Sequence, residues 1–186
     1  MLNLLAFAAS LRKESFNKKL LTLAVADAEA AGATVEVLDF ADIVAPNYDQ
    51  DTMDASGVPA PIAMLCAKIE SCDGLLIASP EYNFSLPGTI KNVIDWVSRV
   101  RPVPLKGKTA MLLSASTGQV GGIRGLWQLR IPLEGLSVHV VPDMYTLPWG
   151  AKMFDENGAL VEPERAERLK GMVGEFVRVA ELLRRK

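Results

Sequence analysis

Apolar runs and amphipathic stretches alternate along the chain. Residues 2–8 form a short apolar run, as in a strand buried on both faces. Residues 15–31 follow with Leu20, Leu21, Leu23, Ala24 and Ala28 on one helical arc, with Ser15 placed to cap the start and Gly32 to end it. Residues 34–40 alternate like a strand. Residues 41–57 are polar and read as a loop, with Asp49, Asp51 and Asp54 solvated rather than holding a metal. A helix is predicted over 61–71, a third buried strand over 74–79 and a helix over 88–100. A fourth strand is predicted over 108–116, then a glycine-rich loop and a helix from about residue 122. "SVHVVP" reads as a fifth strand, residues 143–158 as irregular, and residues 162–185 as a long final helix.

Five strands alternating with five helices imply an α/β fold, a parallel sheet with helices on both faces. No linker or internal repeat divides the chain, so one domain is expected over residues 1–186. Five strands suit a flavodoxin-like three-layer sandwich with strand order 2-1-3-4-5. The six-stranded dinucleotide-binding alternative needs a GxGxxG after the first strand, which is absent.

Ligands of open parallel sheets bind outside the carboxyl ends of the strands, where the strand order switches. Here that point lies among the loops after strands one, three and four, and these are the chemically loaded ones. The first, "AASLRKESFN", ends at a helix N-terminus and carries Ser10, Ser15 and Asn17 with Arg12. It reads either as a site for one phosphate or as a solvated loop with an ordinary cap. The second places Glu81, Tyr82, Asn83 and Ser85 between Pro80 and Pro87. It reads either as a turn or as polar atoms offered to a planar heterocycle, with Tyr82 or Phe84 as a wall. The third, residues 114–125, carries Gly118, Gly121 and Gly122, which let backbone approach a ligand. Their convergence favours a site over three coincidences.

Composition narrows the function. The chain is 49% hydrophobic and 23% charged with a net charge of -2, which gives no electrostatic case for nucleic acid or an anionic membrane. Two cysteines, Cys66 and Cys72, are not spaced as a redox or metal motif and read as small buried hydrophobes. The only histidine is His139, so a zinc site or a Ser-His-Asp triad is not expected. The apolar start lacks the basic residues of a signal peptide, and no segment reaches the ~18 apolar residues that span a bilayer, so a cytoplasmic protein is expected.

The segments "SLRKESFNKKL", "SPEYNFSLPGTIKNVIDWVSR" and "STGQVGGIRG" resemble the NADPH-dependent FMN reductase family. The resemblance covers about residues 2–141; Ala9, Gln119 and Val120 differ from the family's common pattern. It implies an FMN-dependent NAD(P)H oxidoreductase, in which hydride from NADPH or NADH reaches flavin N5 and leaves to an acceptor by a ping-pong scheme. Acceptors would be quinones, with chromate, azo compounds or free flavin as further candidates. Ser10, Arg12, Ser15 and Asn17 would hold the FMN phosphate, with Phe16 a further cofactor-binding residue. Pro80, Glu81, Tyr82, Asn83 and Ser85 would line the flavin ring, and Ser116, Thr117 and Gly118 would close the other side. No side chain takes a catalytic role, because the flavin carries the chemistry.

The family also implies a homodimer or homotetramer. Trp96 lies off the apolar arc of Ile90, Val93, Ile94, Val97 and Val100, beside Asn92 and an Asp95–Arg99 pair, and is expected at a subunit contact, the alternative being that it packs under a neighbouring loop. Trp149 and Met153 are further candidates for that contact or for capping a partner's flavin. The alternatives are a flavodoxin-type FMN electron carrier, for which the low net charge is unsuited, and a flavin-free protein that keeps the fold.

Overall fold

The computed structural model describes residues 1–184. Its strands are β1 (Leu2–Ala8), β2 (Ala33–Leu38), β3 (Gly74–Ala78), β4 (Thr109–Ala115), β5 (His139–Val140) and β6 (Tyr145–Leu147). Its α-helices are α1 (Phe16–Ala30), α2 (Gln50–Ser56), α3 (Ala60–Ser71), α4 (Gly88–Val97), α5 (Ile123–Gly135), α6 (Gly150–Met153) and α7 (Pro163–Leu183). The sheet is parallel throughout with order β2-β1-β3-β4-β5, and β6 pairs with β4. This is the flavodoxin-like order expected from the pattern.

The sheet separates two cores, as the period of two along each strand requires. Leu5, Phe7, Leu75, Ile77 and Leu112 face α3, α4 and α5, whereas Leu4, Ala6, Leu76, Ala78, Met111 and Leu113 face α1 and α7. Both thiols are buried, and burial pushes Cys66 and Cys72 up to about 11, which leaves them un-ionised and unreactive near neutral pH.

The structure corrects five expectations. The polar stretch after β2 is not all loop. Asp39 caps a 3-10 turn (Phe40–Ile43) through the N–H of Ala41, and Asp49 caps α2 through the N–H of Thr52 at 2.8 Å. The fifth strand is split. β5 pairs with Thr109 and Ala110, the chain leaves the sheet around Pro142, and β6 rejoins it opposite Leu113, Ser114 and Ala115. The proline has no N–H to donate to a ladder. Arg130 takes up the carbonyls of Val140 and Val141 at 3.1 and 2.7 Å. The detour lays the segment after β6 beside the loop after β4.

Trp96 is not a surface residue. It is fully buried, its indole N–H donates to the Pro46 carbonyl at 2.8 Å, and Tyr48 meets its ring edge-on at 5.0 Å. The polar flank of α4 explains this. Asn92 donates to the carbonyls of Ala45 and Pro46 and accepts from the N–H of Tyr48, drawing that segment over the tryptophan. The Asp95–Arg99 pair does not form, because α4 ends at Val97. Asp95 pairs with Lys91 at 2.7 Å, and Arg99 lies over the Tyr48 ring at 4.9 Å. Met153, also proposed for an interface, is buried in the core beside α1 and α7. The expected end of the last helix at Arg185 lies outside the described residues.

Candidate active site at the carboxyl ends of the strands

Backbone hydrogen bonds lace the ends of β1, β3 and β4 together. The N–H of Ala9 donates to Ala78 and that of Ser79 to Leu113, each at 2.8 Å. Above them lies an open cavity of 150 Å³ lined by Ser10, Arg12, Ser15, Phe16, Asn17, Pro80, Glu81, Tyr82, Ala115, Ser116 and Thr117. The three loaded loops thus meet. Of the residues expected there, Asn83, Ser85 and Gly118 fall outside the lining. A larger cavity of 470 Å³ lies at the opposite end of the sheet. Its Lys108 donates to the carbonyls of Glu70 and Cys72 and its Arg184 pairs with Asp73, so those charges are already engaged.

One end of the candidate site gathers hydrogen-bond donors. The α1 N-terminus opens onto it, with no acidic residue in the first turn. Ser10 and Ser15 are each 4% exposed. Ser15 Oγ accepts from the N–H of Asn17 at 3.2 Å, which leaves its own proton to donate elsewhere. The Arg12 guanidinium is exposed, has no carboxylate partner among the described residues, and lies 5.6 Å from the centre of the Phe16 ring. Phe16 is held in place by Phe154, stacked at 6.2 Å, and by Gly150, where a Cβ would come within 3.2 Å of the ring. Asn17 also ties two elements together. Its Nδ2 donates to the Ala115 carbonyl and its Oδ1 accepts from the Ala115 N–H, both at 2.9 Å, so it ties α1 to the end of β4.

At the other end, the carboxylate of Glu81 is engaged by the start of α5. Its Oε1 accepts from Arg124 Nε at 2.8 Å and lies 2.5 Å from Nη2, while Oε2 accepts from the backbone N–H groups of Arg124 and Gly125 at 3.0 and 3.2 Å. The side chain is only 8% exposed. Burial pushes its carboxyl up, but the Arg124 and Gly125 hydrogen bonds outweigh that and hold it below the usual value of 4.5. Tyr82 is half-exposed and stays at the rim. The last loop is fixed from outside: Ser116 donates to Leu147 and accepts from Gly150, and Trp149 donates to Gly118. Sequence reasoning missed Arg124 and the clasp it forms. The signal was a lone cation between two glycines, in a chain whose Glu81 needed a partner if buried.

The sequence profile of the NADPH-dependent FMN reductase family matches residues 2–151. The chain belongs to this family. It is therefore an oxidoreductase that works with FMN and a nicotinamide, and the electron-carrier alternative falls away. It is similar to the quinone reductase of Escherichia coli K12, at 34% identity over 181 residues and 95% of each chain. It is similar also to an NAD(P)H-dependent FMN reductase of Pseudomonas aeruginosa, at 34% identity over 170 residues, 91% of this chain and 90% of the other. Among solved structures it resembles the flavoenzyme NAD(P)H:(acceptor) oxidoreductase FerB of Paracoccus denitrificans. That match has a TM-score of 0.86 and 30% identity and covers all of both chains.

Proposed function

We propose that FMN binds across the ends of β1, β3 and β4, phosphate at the α1 end and ring against Pro80–Tyr82, and that the acceptors are quinone-like. The observation that carries this is the convergence of the three loops on one cavity whose α1 end holds two buried hydroxyls and an exposed arginine with no carboxylate partner among the described residues. The residues fit the group: donors gather where a phosphate would sit, and an aromatic rim stands where a flat ring would. Bound FMN supplies the redox step, taking hydride from NADH or NADPH and passing it on. The chain's part is to fix the phosphate through Ser10, Arg12 and Ser15 and to keep one ring face open at the rim of Tyr82. That open face is what admits nicotinamide and acceptor in turn. Among the described residues no cluster of carboxylate, histidine and cysteine could hold a metal ion, and no helix is long and apolar enough to cross a membrane.

Reconstitution with FMN should give a yellow protein that oxidises NADH or NADPH in steady state when a quinone is supplied. Chromate, azo dyes and free FMN complete the acceptor panel. A protein that stays colourless after FMN is added, and is inactive with every acceptor, would refute this reading.

The oligomer is a homodimer or homotetramer in this proposal, but not through Trp96. Trp127 and Ile131, 54% and 63% exposed, lie one turn apart on α5, and Phe84, 69% exposed, lies against Arg124 of the same helix. An exposed apolar patch of this kind is the usual mark of a subunit contact. Trp127→Glu should lower the oligomeric mass read by light scattering, while the monomer keeps its far-ultraviolet circular dichroism. An unchanged mass would place the contact elsewhere.

A further inference from the structure

The turn that carries Tyr82 and Asn83 is tight and strained. Tyr82 and Ser85 exchange backbone hydrogen bonds at 2.9 and 3.0 Å, which leaves Asn83 and Phe84 as a two-residue loop with φ of +48 and +66°. Such a turn needs both central residues left-handed, and Asn-Gly is its preferred pair. Here phenylalanine stands where glycine is favoured, at a cost of roughly 1–2 kcal/mol. A strained turn persists only where its surroundings hold it.

The surroundings are α5. The Arg124 guanidinium lies 4.5 Å from the centre of the Phe84 ring and grips the Glu81 carboxylate with the same group. Gly125 brings the first turn of α5 close beneath: a Cβ there would sit 3.1 Å from Glu81 Cα and 3.2 Å from the Ser85 carbonyl. Glu81 precedes the turn, Phe84 lies within it, and Arg124 joins the two.

We propose that Glu81 and Arg124 are positioning residues for the flavin ring, acting through the Glu81–Arg124–Phe84 stack to fix the turn that presents Tyr82 and Asn83. This rests on the FMN site proposed above. The carboxylate of Glu81 acts on the turn and does not touch the ring. Lysine cannot replace Arg124, because an ammonium lacks both the fork that meets the carboxylate and the plane that covers Phe84.

Apo-protein is titrated with FMN and with riboflavin, which lacks the phosphate, by quenching of flavin fluorescence. The visible circular dichroism of the bound flavin is recorded, with urea unfolding as the check on the fold. Glu81→Gln, Arg124→Ala and Arg124→Lys should each weaken FMN and riboflavin by the same factor, about tenfold for a lost charge-assisted contact. They should also alter the visible circular dichroism. The double variant Glu81→Gln/Arg124→Ala should be no worse than the weaker single variant, because one unit has been removed. Arg12→Ala, at the phosphate end, should weaken FMN and spare riboflavin. If Glu81→Gln does not fold, Arg124→Lys carries the test. Folded variants with wild-type affinities and unchanged circular dichroism would overturn the positioning role while leaving the FMN site intact. A wild-type chain that binds neither flavin would overturn both.

Discussion

Gly122→Ala is expected to prevent accumulation of the folded protein. Gly122 is the residue before the first turn of α5 and has φ of +88°, a conformation that costs an L-residue roughly 1–2 kcal/mol. Space is the larger obstacle. A Cβ on Gly122 would lie 2.0 Å from Ser114 Oγ and 2.9 Å from Ser114 Cβ. Ser114 is fully buried in β4, between β3 and β6, and its hydroxyl has no hydrogen-bond partner among the described residues. It has no open space into which to move. Overpacking of a fixed core adds about 1–3 kcal/mol, so the two costs together come to about 2–5 kcal/mol, a large part of a domain's whole stability. Urea unfolding followed by circular dichroism measures the loss. Ser114→Gly removes both clashing atoms, so the double variant should regain most of the loss and keep only the backbone cost. A Gly122→Ala protein with the wild-type urea midpoint would show that α5 does not start against β4 as described.

The sheet order was legible because β1, β3 and β4 are near-continuous apolar runs, and only strands covered on both faces read that way. The start of α1 was legible because Ser15 satisfies a local need, the N–H two residues on, and local chemistry leaves a local signature. The three loops were legible as a site because the strand order dictates where they meet. The misreadings have one cause in common, a partner distant in sequence. Trp96 lies off the apolar arc of α4, and periodicity does not say that Ala45–Tyr48 returns over that flank. Asn17 and Glu81 read as ligand contacts, and the sequence did not show that each also has a partner in the fold. Asn17 is paired with Ala115, 98 positions away, and Glu81 with Arg124, 43 positions away. The polar groups around a site thus fall into those that meet the ligand and those that hold the loops, and only the fold separates them. In the proposed site Ser10, Arg12 and Ser15 belong with the first, and Asn17 and Glu81 hold the loops.

Asn17→Asp should bring out the difference most sharply, because it changes almost no volume. The amide of Asn17 behaves like one more strand residue, donating to the Ala115 carbonyl and accepting from its N–H, at 2.9 Å each and 3% exposed. A carboxylate keeps the acceptor but sets a second oxygen against the Ala115 carbonyl. Losing the donor and leaving that buried carbonyl unmatched costs about 1–3 kcal/mol. The α1 terminus works in the other direction, since a negative charge in a first helical turn gains about 0.3–1 kcal/mol. The loss is therefore the larger, and the urea midpoint should fall, though the protein should still fold. Ligand binding should suffer more than stability. The new charge sits at the end of the site where Ser10, Arg12 and Ser15 gather, and a phosphate placed there carries close to two negative charges. Two opposed unit charges about 4 Å apart at a protein surface interact by about 4 kcal/mol, so FMN affinity should drop at least a hundredfold. Riboflavin has no phosphate to repel and should lose only what the loosened clasp costs, about tenfold or less. Fluorescence titration of the apo-protein with both flavins measures the two losses in one protein. Equal losses would assign Asn17 to the clasp alone and place the phosphate away from α1. A loss far greater for FMN would put the phosphate at this helix.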